Sequence, residues 1–351
     1  MKNQLEVLWD KLSQANLVEG KQPSSDKLDS PWYIKVILGF SGSLAAFFLL
    51  GFLSSAVYFL FASELASIGF SLAMLGVAYW IFSQFNNPFH HYFALVMSLS
   101  AQLSFGVALF GLQSWTPICL IFALFQAILA VVMPNILHRV CSTVLALVAL
   151  VASSTMVGFP QLLASVLIFP TVLLFINEFS LIGKYKWIRG VIDGVVIALL
   201  LLTLAQLFRA DYEYLLTPLD SQLSVIVELV SYLIYGAGLV FAATELLKVY
   251  DIGWCSREGK FAILFMSLLA LVTHQAPGIG VGVVVMLLGF AHSHRLLMGA
   301  GIAYLSLYAV MYYFTLVDTL LFKSMVLLAL SGLMLLGRFC LNHVLSTNEG
   351  N

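Results

Sequence analysis

Of the 351 residues, 61% are hydrophobic and only 9% charged, with a mean hydropathy of +1.00, which excludes a soluble globular domain, where about a quarter of residues are charged. A net charge of −1 without a basic patch excludes nucleic acid as the partner, and Cys119, Cys141, Cys255 and Cys340, with no C-x-x-C spacing, read as small buried hydrophobes. What remains is an all-α polytopic membrane protein: runs of about 20 apolar residues, enough to cross ~30 Å of hydrocarbon as helix, recur along the chain and are continuous rather than alternating.

In chain order, Leu5, Leu8, Leu12 and Ala15 at helical spacing, with Glu6, Asp10 and Lys11 between them, predict a short cytosolic amphipathic helix over 2–18. It is too polar to cross, and the polar first 30 residues argue against a cleavable secretory signal. Residues 19–30, with Gly20, Pro23 and three serines, read as a linker. Twelve spans follow: 34–61, 65–84, 91–110, 115–133, 137–157 and 161–177, then 187–208, 223–247, 260–274, 277–291, 296–316 and 321–341. The stretch Lys184-Tyr185-Lys186-Trp187-Ile188-Arg189 reads as the cytosolic joint between them. The resulting divisions are a cytosolic segment 1–30, a first six-helix half 31–185, a second half 186–345 and a cytosolic tail 346–351.

Charge tests the count. With a cytosolic N-terminus, fourteen of the sixteen Lys and Arg fall on the inner side and only Arg209 and Lys323 outside, as the positive-inside rule requires. Both termini are then cytosolic. Merging 260–274 and 277–291 into one broken helix leaves thirteen against three, so charge does not separate eleven spans from twelve. Repetition favours twelve: Trp32-x-x-x-Val36-Ile37-x-Gly39 opens the first span and Trp187-x-x-x-Val191-Ile192-x-Gly194 the seventh. Pro117 begins the fourth and Pro277 the tenth, and His138-Arg139 and His294-Arg295 follow them. Two six-helix units of even span number face the same way, as parallel repeats.

A charge at mid-bilayer costs about 2.5 to 3.5 kcal/mol on insertion scales, so polar groups inside spans are the functional candidates. Glu228 leads, with Ser224, Ser231, Tyr232 and Tyr235 on its helical face, a stripe expected to look into the bundle or a wet cavity. The alternative is a protonated Glu acting as interhelical glue. Asp193, near Lys186 and Arg189, reads as a surface salt bridge or a pathway group. His274-Gln275-Ala276-Pro277-Gly278-Ile279-Gly280 joins two short segments, and such interruptions either mark a transporter's binding site or pack helices closely through small residues. Gln102 and Gln126 read as interhelical hydrogen-bonders. His90, His91, His138, His292, His294 and His343 sit at cytosolic span ends as interfacial imidazoles, without the convergence a metal needs. No catalytic constellation assembles and no cofactor is implied, so an enzyme is not expected.

The sequence Leu8-Trp9-x-x-Leu12, Asn16-Leu17-Val18, Ser30-Pro31-Trp32-Tyr33, Leu38-Gly39-Phe40 and Leu50-Gly51-Phe52 resembles the bacterial membrane proteins grouped as domain of unknown function 4401, a family similar to family 2157. The resemblance implies a bacterial inner-membrane location and a small membrane protein as partner, and it assigns no site residues. Two function classes follow. A transporter-like protein for a small solute or lipid fits the repeat, the stripe around Glu228 and the break at Pro277. A non-catalytic scaffold fits the lack of a charged pathway and the N-terminal helix.

Overall fold

A computed structural model describes residues 32–56, 63–85, 87–110, 114–155, 158–178, 185–208, 221–274, 276–315 and 320–348, and every regular element among them is helical. The helix predicted over 2–18, its linker and most of the outer connection Arg209–Gln222 lie outside the described residues. In chain order the helices are α1 (Trp32–Ala56), α2 (Glu64–Gln84), α3 (Pro88–Phe110), α4 (Trp115–Val132), α5 (Ile136–Ser153), α6 (Pro160–Val166), α7 (Ile168–Ile176) and α8 (Tyr185–Ala205). They continue with α9 (Ser221–Val249), α10 (Arg257–Val272), α11 (Pro277–Ala291), α12 (Arg295–Thr315) and α13 (Leu320–Asn348).

Each apolar stretch read in the sequence meets a helix, and seven helices are long and apolar enough to cross a membrane: α2, α3, α4, α5, α8 with its 3-10 extension to Phe208, α9 and α12. The apolar parts of α1, α6–α7, α11 and α13 are shorter. Two details differ from expectation. The segment 161–177 breaks at Leu167, because Pro170 has no N–H to give and its ring crowds the Val166 carbonyl four residues back. Helical bonding resumes at the Leu167 carbonyl, which accepts from the Thr171 N–H at 3.2 Å and from the Thr171 hydroxyl at 2.6 Å. The supposed joint is helical from Tyr185 onward, as the first turn of α8.

Segments 260–274 and 277–291 are separate helices. The Thr273 hydroxyl donates to Leu269 O, the Ala276 N–H closes a turn on Thr273 O, and Pro277 opens α11, where its missing N–H costs nothing.

The largest apolar core joins α5 through α11 and so straddles the joint, with α8 and α11 at its centre; a second core joins α2, α3 and α4. From Gly278 to Val285, α11 is buried on every side, as a helix without a polar face must be. The hairpins α4–α5 and α11–α12 correspond in place, whereas the long α1–α3 packing has no comparable counterpart between α8 and α10.

Candidate functional site

The break between α10 and α11 is surrounded by buried hydroxyls. A helix N-terminus leaves its first amides without intrahelical partners, and here two phenol side chains pack against that turn. The Tyr235 hydroxyl lies against Gly280, and the Tyr308 ring against Gly278. The Tyr235 hydroxyl also lies 2.8 Å from Thr273 Oγ1 and 3.1 Å from the Pro277 carbonyl. On α12, Tyr304, Tyr308 and Tyr312 follow at i, i+4 and i+8, so one face carries all three. Tyr304 pairs with Thr203 Oγ1 of α8 at 2.7 Å, and that threonine in turn donates to Leu199 O.

Glycine makes the approach possible. A Cβ on Gly278 would stand 2.0 Å from Tyr308 Cε2, and one on Gly280 2.0 Å from the Tyr235 hydroxyl. Gly278, Gly280 and Pro277 of the sequence reading therefore meet Tyr235 in one desolvated site. Chemically, it offers hydroxyl donors and acceptors around a helix end carrying partial positive charge.

The rest of the stripe behaves differently. Glu228 is exposed, and its carboxylate accepts from Tyr232 of its own helix at 2.8 Å. Ser231 is buried, but its hydroxyl donates back to Val227 O; the Ser224 side chain lies outside the described residues. His274 is exposed, meets the Tyr232 ring edge-on at 5.6 Å and is bonded through Nδ1 to Leu271 O.

The expectation that Glu228 looks inward is thus corrected. At 29 residues α9 overhangs the 16-residue α10, and Thr273 meets it only at Tyr235. Leu223, Val225, Ile226 and Leu229 are exposed beside Glu228. Asp193 sits half-buried at the other end of the core, within electrostatic reach of Arg189 and His294. Among the described residues, no group of three His, Cys, Asp or Glu could hold a metal.

A second polar cluster escaped the sequence reading. His138, expected at an interface, is fully buried, because its place in the first turn of α5 falls well along the longer α3. Its Nε2 lies 2.7 Å from Gln102 Nε2 and 2.5 Å from Ser98 Oγ, and its Nδ1 lies 3.3 Å from Ser142 Oγ.

Arg139 is buried too. Its guanidinium donates at 2.8 Å to both Ala130 O and Met133 O, carbonyls that the end of α4 leaves open. Gln126, read as an interhelical hydrogen-bonder, is fully buried with neither amide end partnered among the described residues. The available signal was spacing: Ser98 with Gln102, and His138 with Ser142, are i, i+4 pairs on facing helices.

No curated protein and no solved structure matches the chain. A family model does, over residues 31–344, from the start of α1 to the last turns of α13. With nearly the whole helical array covered by that match, the chain belongs to the family described as Domain of unknown function (DUF4401).

Proposed function

We propose that this protein crosses a bacterial inner membrane twelve times, in two six-helix units with both termini cytosolic, and carries a small polar solute past the tyrosine-lined break between α10 and α11. One observation carries the reading: the Tyr235 hydroxyl, paired with that of Thr273, meets the Pro277 carbonyl at the start of α11, with the Tyr308 ring packed on Gly278 and all three side chains buried. At 1.5 Å per residue α10 and α11 reach only about 24 and 22 Å, less than the ~30 Å of a hydrocarbon core, so a turn at their junction falls within it. Backbone unwound at that depth is how transporters present carbonyls and helix ends to a solute.

Metabolite profiling of a deletion strain tests this. Wild type is expected to restore the profile, Tyr235→Phe with Thr273→Val to fail at normal membrane level, and Glu228→Gln to succeed. Full complementation by the Tyr235/Thr273 variant would reduce the break to packing.

A scaffold is the second reading, favoured by the α9 overhang, where an exposed carboxylate stands among apolar residues. Photocrosslinking from position 229 to a small membrane protein, abolished by Glu228→Gln, would support it over transport.

A further inference from the structure

The seam between α9 and α10 carries three polar side chains on the outside of the bundle. The Tyr232 hydroxyl donates to Glu228 Oε1 at 2.8 Å, and the His274 ring meets the Tyr232 ring edge-on at 5.6 Å. A carboxylate, a phenol and an imidazole from two helices thus form one continuous group. Glu228 and His274 are exposed and Tyr232 is half-buried. The surface that adjoins this group is apolar: Leu229 and Leu233 of α9 and Leu264, Leu268 and Leu271 of α10 are all exposed. The three α10 leucines stand at i, i+4 and i+7, so they share one face that leads from His274 toward the bundle's midplane.

Helix length sets the depth of the polar group. Along α9, Glu228 stands about 25 Å from Glu245 and about 30 Å from Lys248 at 1.5 Å per residue. Those two residues form an ion pair, and the Lys248 ammonium lies 5.7 Å from the centroid of the exposed Trp254 ring. Lysine with tryptophan at a span end marks the boundary between hydrocarbon and water. A hydrocarbon core ~30 Å thick that begins there ends beside Glu228.

Chemistry and depth together define the occupant. What touches a helix surface at that boundary is a phospholipid headgroup, with its acyl chains running inward. A carboxylate attracts a cation, and a primary ammonium makes a charge-assisted hydrogen bond to it that a quaternary ammonium, having no N–H, does not. We propose that the α9–α10 seam binds a phospholipid with a primary amine headgroup, its ammonium on Glu228 and an acyl chain along Leu271, Leu268 and Leu264. The inference rests on the membrane-spanning reading and is independent of transport at the α10–α11 break.

The test uses the full-length protein in phosphatidylcholine nanodiscs. These are doped either with phosphatidylethanolamine carrying a diazirine on one acyl chain or with phosphatidylcholine carrying the same chain. After illumination, peptide mass spectrometry is expected to find the ethanolamine probe on Leu264, Leu268 or Leu271 about threefold more often than the choline probe, the effect of one exposed ion pair. Glu228→Gln, a change on the lipid-facing surface, is expected to abolish that preference without lowering total labelling. Equal labelling by the two probes in wild type, or a preference that survives in Glu228→Gln, would overturn the proposal and leave the spans standing. No label on α9 or α10 from either probe would overturn both.

Discussion

Around the start of α11, the hydroxyls of Tyr235 and Tyr304 are each matched to a threonine of a neighbouring helix, while on α3 and α4 the buried Gln102 and Gln126 keep amide ends without a partner among the described residues. Both clusters are dry with respect to bulk solvent, and both sit in helices too apolar to offset an orphaned group cheaply. The contrast shows two ways of keeping polarity inside a lipid-facing bundle. One is closed, pairing hydroxyls across helices at Tyr235 with Thr273 and Tyr304 with Thr203; the other is open, with amide ends of Gln102 and Gln126 left without a partner among the described residues.

The closed cluster fails hardest when its contacts are forced apart. Gly280→Ala places a methyl where the Tyr235 hydroxyl lies 2.0 Å from the added carbon, an overpacking expected to cost about 3 kcal/mol or more. Tyr235→Phe removes the clashing oxygen and leaves Leu239 Cδ1 at 2.9 Å and the ring carbon at 3.0 Å, contacts that the flexible end of the leucine can relieve. The double variant should therefore recover most of the thermal midpoint lost by Gly280→Ala, measured in detergent. Additive losses would show that the glycine serves backbone freedom rather than this contact.

In the open cluster the most damaging change is at Arg139. It answers two α4 carbonyls with charged donors, and such bonds are worth about 1.5 to 3 kcal/mol each. Arg139→Met keeps the stem and strands the carbonyls, so a loss of about 3 kcal/mol is expected. Arg139→Lys restores the charge but not the fork and should recover about half of it. Equal stability of the Met variant would mean that the α4 end is served by something other than the guanidinium.

How much of this could be read beforehand follows from what each signal measures. Continuous apolarity marks helices, and α1 through α13 lie where it placed them, including the separation of α10 from α11 at Pro277. Pro170 also announced the break at Leu167, but a span average hides one residue. Depth was harder. His138 and Arg139 lie near a segment end in sequence, which reads as an interface; the burial of His138 depends on α3, whose Ser98 and Gln102 meet it, and that of Arg139 on α8, whose Gly190 lies against its stem. Glu228 erred the other way: helical periodicity put it on the face of Tyr235, and only the length of α9 relative to α10 leaves it exposed. Periodicity gives direction around a helix, whereas neighbour lengths decide what stands there.

The smallest expected effect sharpens the comparison most, because it separates the loss of a bond from the making of an orphan. Tyr304→Phe removes the phenol from Thr203, but the threonine hydroxyl still donates to Leu199 O, so nothing buried is stranded and the loss should be about 0.6 kcal/mol, typical of hydrogen bonds between membrane helices. Thr203→Val instead leaves the Tyr304 hydroxyl unmatched in a site where it is almost fully buried, which should cost about 1 to 3 kcal/mol. Adding Tyr304→Phe to Thr203→Val should then restore stability rather than reduce it further. That sign change, read from thermal midpoints of the two single variants and the double, is the signature of a closed polar cluster. A Thr203→Val variant no less stable than Tyr304→Phe would mean that the tyrosine finds another partner, and that this half too holds polar capacity in reserve.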